Sequence, residues 1–357
     1  MAVKAMLQEV CSHFNNKMYR LGLDVSTGFC GLHHVRRQNT DFLRSPQMLI
    51  LAGFLAPYLI AIAAYPLLVR CASYVWIAAI GTCFLIVATP WLIPVESALL
   101  RFVASISAAI LAIKVIDASL DVKQKRATTL SGHVDFLANP FTHVRRSLAH
   151  ERRPPMRETL LTVLAALATC AIVTTVLVAL FKVDWSNVPF LVEHVSKVAA
   201  LMLSIAYALA AAAAVWRLGG GSARDYMDRP FVARTPAEFW RRYNRNVHQF
   251  FLQDVFNGRR SRRAPIRTIL LVFALSAILH EYIFFAAVGQ VQGYQTAFFA
   301  LQGLAAASTA RVKVRGWQAL PWTAATLAFN LLSSVLFFAS IHAVVPFYSQ
   351  GLPQWLH

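Results

Sequence analysis

His280, Glu281 and Tyr282 follow one another inside an apolar run that extends from Ile269 to Gly289. Ionisable side chains at membrane depth are costly to keep, so a histidine–glutamate pair there marks a candidate functional site. His280 lies fourteen residues past Ile266, a rise of roughly 21 Å at ~1.5 Å per residue. That is beyond the middle of a hydrocarbon core about 30 Å thick. An imidazole, with an unperturbed pKa of about 6.5, is suited to taking a proton from an alcohol. Glu281 sits about a hundred degrees further round the helix. It therefore faces another helix and reads as a structural residue, paired with an arginine or a backbone donor. Just upstream stands the string FWRRYNRNVHQFF (239–251), followed by Arg259, Arg260, Arg262 and Arg263. An arginine-dense stretch beside a membrane-depth base suits a substrate that arrives on a phosphate-bearing carrier.

The element that must position this second group starts at Thr235-Pro236-Ala237-Glu238. Thr235 is a good N-cap, Pro236 suits the first helical position and Glu238 the third. Trp240, Tyr243, Val247 and Phe251 then recur at i, i+3, i+7 and i+11, with Arg241, Arg242, Arg245 and Gln249 on the opposite arc. The pattern predicts one amphipathic helix of the kind that lies in a membrane interface. Asn244 and His248, four residues apart, share the edge of its apolar face, whereas Asn246 falls on the far side. Either pair of roles fits this edge: inward-facing site groups, or polar groups that snorkel beside lipid headgroups.

The composition places both elements in a membrane. The chain has 357 residues, of which 57% are hydrophobic and only 14% charged; a soluble domain is nearer a quarter charged. Eight apolar stretches approach spanning length, at residues 48–69, 74–93, 98–116, 160–181, 198–216, 266–289, 297–310 and 322–345. The third is the least secure, because it contains Arg101 and Lys114, and the seventh is short enough to be tilted or re-entrant. The expected fold is an all-α polytopic bundle of about eight spans with amphipathic interfacial helices. Residues 1–45 form a polar tail and 46–350 the transmembrane domain, with the motif region at 225–290.

Lys and Arg total 34 against 16 Asp and Glu, a formal net charge of +18. The excess falls in the loops at 117–157, 217–267 and 311–315, where the positive-inside rule and anionic membrane lipids account for it without nucleic acid. Those three loops are expected on one side, the cytoplasmic one. The tail before Pro46 is itself basic, which leaves the side of the N-terminus open. Cys11, His13, Cys30, His33 and His34 match no zinc spacing, and no metal is expected. Lys114 and Asp117 could pair at i, i+3. Gln302 and Asn330 either line a cavity or bond across helices, and His194 and Lys197 are placed at the interface.

The string PFVARTPAEFWRRYNRNVHQFF (230–251), followed by HEYIFF (280–285), resembles the membrane-bound O-acyltransferase superfamily. Its PF…T…EFW-R-R-YN arrangement is most similar to the wax synthase branch. The resemblance implies that His280 is the catalytic histidine and Asn244 its asparagine partner. It also implies a tunnelled bundle that acyl-CoA enters from the cytosol while a hydroxyl acceptor arrives from within the membrane. His248 matches the histidine of a VH pair in the sterol and diacylglycerol branch. Tyr243 stands where many members have tryptophan, and no FYxDWWN block is present, the nearest text being Asp225-Tyr226-Met227-Asp228. These departures favour a simple fatty alcohol as acceptor.

The resulting expectation is an acyl-CoA:alcohol O-acyltransferase with His280 and Asn244 in the catalytic site. Trp240, Arg241, Arg245, His248 and Tyr282 are its substrate-binding residues. Acyl-CoA is a co-substrate, a long-chain alcohol the acceptor, and no cofactor is permanently bound. Membrane lipids are the other expected partner, and the oligomeric state is left open. Richness in alanine and arginine points to a bacterial cytoplasmic membrane, with the endoplasmic reticulum as the alternative. Two other readings remain: O-acylation of a sugar or envelope polymer, and a proton-coupled transporter using the midplane His–Glu pair.

Overall fold

A computed structural model describes residues 45–70, 72–126, 129–145, 155–251 and 264–356. The Cys11–His34 cluster and the Arg259–Arg263 run lie outside the described residues. The described residues of Ile50–His357 form one compact unit. At the start of α1 (Pro46–Ala63) the Met48 amide donates to the Ser45 hydroxyl (3.4 Å). The described residues contain helices and no strand.

Among the described residues, seven helical segments are long and apolar enough to span a membrane: Pro46–Arg70, Val75–Leu92, Ala98–Lys123, Met156–Lys182, Phe190–Leu218, Pro265–Val288 and Gly316–Val344. In the first, α1 is continued by α2 (Tyr65–Arg70), and α3 (Val75–Ala88) forms most of the second. The others are α4 (Ala98–Lys123), α6 (Met156–Lys182), α7 (Phe190–Leu218), α10 (Pro265–Val288) and α12 (Ala319–Val344). The short apolar run expected at 297–310 is α11 (Tyr294–Thr309), a helix of 16 residues. Off the spans lie α5 (Leu130–Ala138), α8 (Pro236–Tyr243) and α9 (Arg245–Phe250).

The third span is secure after all: it is a continuous helix, Ala98–Lys123, and its lysine is occupied inside the protein. Lys114 is 1% exposed and donates to the carbonyls of Phe136 (2.9 Å), Leu137 (3.0 Å) and Asn139 (2.5 Å). It thus neutralises the negative C-terminal end of α5 and does not pair with Asp117. The Asp117 carboxylate instead accepts from the Arg145 amide (3.0 Å).

The three basic loops share one end of the bundle. Asn139 donates to the Ser222 carbonyl (2.8 Å) and Tyr226 to that of Pro140 (2.6 Å), joining the first loop to the second. Arg234 donates to Val314 (2.9 Å) and the Ala237 amide to Thr309 (3.2 Å), joining the second to the third. At the other end, Gln350 donates to the Trp185 carbonyl (2.6 Å).

The hairpin α10–α11 is the framework of the site. Pro265 opens α10 without losing a needed donor, and Gly289 (φ 79°) ends it in the left-handed region. Glu281 accepts from the backbone amides of Gln292 (3.0 Å), Gly293 (2.7 Å) and Thr296 (3.2 Å), and from the Thr296 hydroxyl (3.1 Å). The carboxylate therefore holds the N-terminal end of α11, where a helix leaves its amides unpaired and favours negative charge. Gly303 lets the two helices approach: a Cβ there would lie 2.8 Å from that of Phe273.

Candidate active site

His280 projects from α10 against the ring of Phe299 on α11 (centroids 4.4 Å apart), with Phe337 of α12 at 6.0 Å. Its Nδ1 is 2.8 Å from the Ser276 carbonyl, one turn earlier. A carbonyl only accepts, so Nδ1 carries the proton and donates it. In the neutral ring Nε2 is then a bare lone pair, and it has no hydrogen-bond partner among the described residues. The helix itself selects the tautomer that can act as a base.

The motif string does not form the single amphipathic helix its periodicity predicts. α8 starts as expected: the Thr235 hydroxyl accepts from the Glu238 amide (3.1 Å), and Glu238 accepts in return from the Arg234 amide (2.8 Å). It stops at Tyr243, and Asn244 (φ −129°, ψ 84°) leaves helical geometry to cap α9. The Asn244 Oδ1 accepts from the Val247 amide at 3.1 Å. Asparagine is among the best N-caps, so a local preference won over the hydrophobic period. The run 225–228 locks this break in place, with Asp228 N donating to the Arg242 carbonyl (2.9 Å) and Arg245 N to the Tyr226 carbonyl (3.0 Å).

The break re-aims the side chains after it. Asn246, expected on the far face, is 2% exposed and donates to the Phe141 carbonyl (3.1 Å). Val247 and Phe251 pack with Ile113, Val144 and Phe250, whereas Trp240 packs in a separate cluster with Phe273, Phe298 and Phe299. The one apolar stripe is thus divided between two pockets. An asparagine inside an otherwise helical pattern was the available signal for this division.

Trp240 ties the motif to His280. Its indole meets Phe273 edge-on at 5.3 Å and lies 6.0 Å from Phe299, the ring that packs on His280. Its Nε1 donates to Gln302 Oε1 (2.9 Å), and Gln302 Nε2 donates to the Ser333 hydroxyl (2.8 Å), linking α8, α11 and α12. Of the two expectations for Gln302, bonding across helices is the one observed. No hydrogen bond joins Asn244 to His280; the aromatic cluster connects their helices.

Of the other expected site residues, Arg241 is exposed and Arg245 half-buried. Neither has an ion-pair partner among the described residues, in contrast to Arg242, which is bound by Glu238. His248 is half-buried; burial lowers its pKa and the nearby Arg241 lowers it further, so the ring is neutral at neutral pH. Tyr282 donates to the Val87 carbonyl (2.9 Å) and packs on Trp91, at the contact of α10 with the Val75–Leu92 span. A cleft of about 620 Å³ opens at the start of α10, lined by Arg267, Leu270, Leu271 and Arg311 among others.

The arrangement is an imidazole nitrogen left open inside the bundle, linked through Phe299 to Trp240 of a basic helix, and such a nitrogen can take a proton from a hydroxyl. Residues 153–339, more than half of the chain, match the membrane-bound O-acyltransferase family, and the chain belongs to that family. It is therefore a multi-pass membrane acyltransferase. A comparison with curated proteins gives no match.

Proposed function

We propose that the protein transfers a fatty acyl group from acyl-CoA to the hydroxyl of a long-chain alcohol, forming a wax ester and free coenzyme A. His280 Nε2 takes the hydroxyl proton as the oxygen attacks the thioester carbonyl. The tetrahedral intermediate collapses with cleavage of the C–S bond, and the imidazolium returns the proton to the departing thiolate. The open lone pair on His280 is the observation that carries this reading, because it needs no rearrangement to act.

Asn244 supplies the complementary group. Its carbonyl is held by the α9 cap, which leaves its NH₂ without a partner among the described residues and free to donate to the developing oxyanion. Arg241 and Arg245 bind the phosphates of coenzyme A, and Arg267 and Arg311 add positive charge at the cleft by the start of α10. Trp240 forms the apolar wall between motif and base, and neutral His248 offers a polar contact beside it. Tyr282 borders the acceptor side of α10. The basic loops face the cytoplasm, as loop charge requires, and a bacterial cytoplasmic membrane is the proposed location.

The test is acyl transfer from radiolabelled acyl-CoA to hexadecanol by purified protein. His280→Ala lowers turnover by about 10²–10⁴-fold, the range for loss of a general base, with an unchanged melting temperature. Full turnover in a folded His280→Ala protein overturns the assignment.

A further inference from the structure

Among the described residues of α12, two polar side chains have buried atoms with nothing to bind them: the Ser340 hydroxyl and, nearer the basic-loop end, Asn330, of which neither Nδ2 nor Oδ1 has a partner. Buried polar groups are ordinarily hydrogen-bonded, and an unmade bond costs roughly 1–3 kcal/mol. Its neighbours obey that rule. Ser333 accepts from Gln302 of α11, and Ser334 lies 3.1 Å from His194 Nε2 of α7, beside the Leu331 carbonyl at 2.8 Å.

These contacts give the direction in which Asn330 faces. At about 100° per residue, Asn330 falls between the α11-facing line of Ser333 and the α7-facing line of Ser334, directly in register with Phe337. Phe337 is the ring beside His280. Asn330 therefore points into the interior on the same face, seven residues from Phe337 and so roughly 10 Å away. Because α12 starts at the basic-loop end, that displacement is from His280 toward the loops.

We infer that Asn330 binds an amide of the pantetheine arm of acyl-CoA. This rests on the acyl-CoA reading of the site. With the thioester at His280 and the phosphates at the arginines, the segment between them is the pantetheine arm, whose only peptide-like groups are two secondary amides. A carboxamide presents both donors and acceptors and is complementary to such a group. Satisfying it removes the cost of the orphaned amide only when donor substrate is present, which makes Asn330 a positioning residue for the donor and not for the alcohol.

The experiment uses full-length protein in nanodiscs, a non-reactive acyl-CoA thioether for binding, and steady-state transfer for kinetics. Asn330→Leu, of matching volume, is expected to weaken thioether binding and raise the KM for acyl-CoA about fivefold to tenfold, the loss of one buried hydrogen bond. The KM for hexadecanol stays unchanged, and an acyl thioester of a simple alkanethiol, which has no amide, is used equally well by both proteins. Asn330→Ser behaves the same way should the leucine variant fold poorly. Unaltered thioether binding and KM in a folded variant overturn the inference while leaving the reaction intact. Wild-type protein that binds no thioether overturns the acyl-CoA reading and the inference with it.

Discussion

Glu193, His194 and Lys197 of α7 and the pair Asn244 and His280 are polar groups that a hydropathy reading would rank alike, yet the fold uses them in opposite ways. In the α7 cluster, at the end away from the basic loops, each of the three side chains is bonded to protein partners. Lys197, 1% exposed, donates to Glu193 (2.6 Å), the Phe347 carbonyl (3.0 Å) and Ser349 (3.3 Å). Glu193 also accepts from the amide (2.8 Å) and hydroxyl (2.9 Å) of Ser349. His194, fully buried, donates from Nε2 to Leu331 and takes a proton bond at Nδ1 from Tyr348 (2.7 Å). His194 and Lys197 were expected at the interface; they are interior because the segment after α12 folds back over them. At the site, His280 and Asn244 each spend one atom on the backbone and leave the other open. The α7 cluster is saturated and ties the fold together, whereas His280 and Asn244 keep an atom with which a further group can bond.

Breaking the saturated end should have the largest effect, and on stability. Lys197→Met leaves the Glu193 carboxylate buried without its cation and should cost about 3–5 kcal/mol. Thermal unfolding in detergent would show it, while transfer per folded molecule stays near wild type. A wild-type melting temperature would contradict the assigned role.

At the site, the corresponding change should spare stability and remove activity. Asn244→Asp keeps an acceptor for the Val247 amide but loses the NH₂ donor. Turnover should fall by about 10²–10³-fold, as when one oxyanion donor is removed, with melting unchanged. Asn244→Ala should lose turnover similarly and about 1 kcal/mol of stability besides, through the lost cap.

A pH titration sharpens the contrast near the motif. His143, buried among Tyr226 and the loop that receives Asn246, is pushed down to about 4, mainly by burial and secondarily by Lys114. Between that value and about 6.5 the unfolded chain takes up a proton that the folded chain refuses, so stability falls as the pH falls, by about 3 kcal/mol in all. Melting temperatures measured from pH 7 to pH 4 should drop in the wild type and drop less in His143→Leu. The smallest expected effect is that of Gln302→Leu. Loss of the Trp240–Gln302–Ser333 bonds should cost about 1 kcal/mol and lower turnover a few-fold by loosening the ring that packs toward Phe299, read as kcat at saturating acyl-CoA.

Much of this was legible in the chain. Long apolar runs have few ways to exist in lipid other than as helices, and loop charge placed all three basic loops at one end. Thr235, Pro236 and Glu238 announced the start of α8 through local hydrogen bonding, and depth singled out His280. The structural reading of Glu281 was also available, because neighbours on a helix face different partners. What the chain did not reveal were choices between competing local and distant forces. Asn244 could continue a helix or cap a new one, and the run at 225–228 that binds the break is close only in space. Lys114 with Asp117 looked like a pair, yet the C-terminal end of α5 claims the lysine. Gln302 and Asn330 read identically as membrane-depth amides, and only the packing of α8, α11 and α12 decides which of them is already satisfied. Periodicity, charge and capping are properties of neighbouring residues, whereas hydrogen-bond satisfaction depends on which groups the folded chain brings within 3 Å.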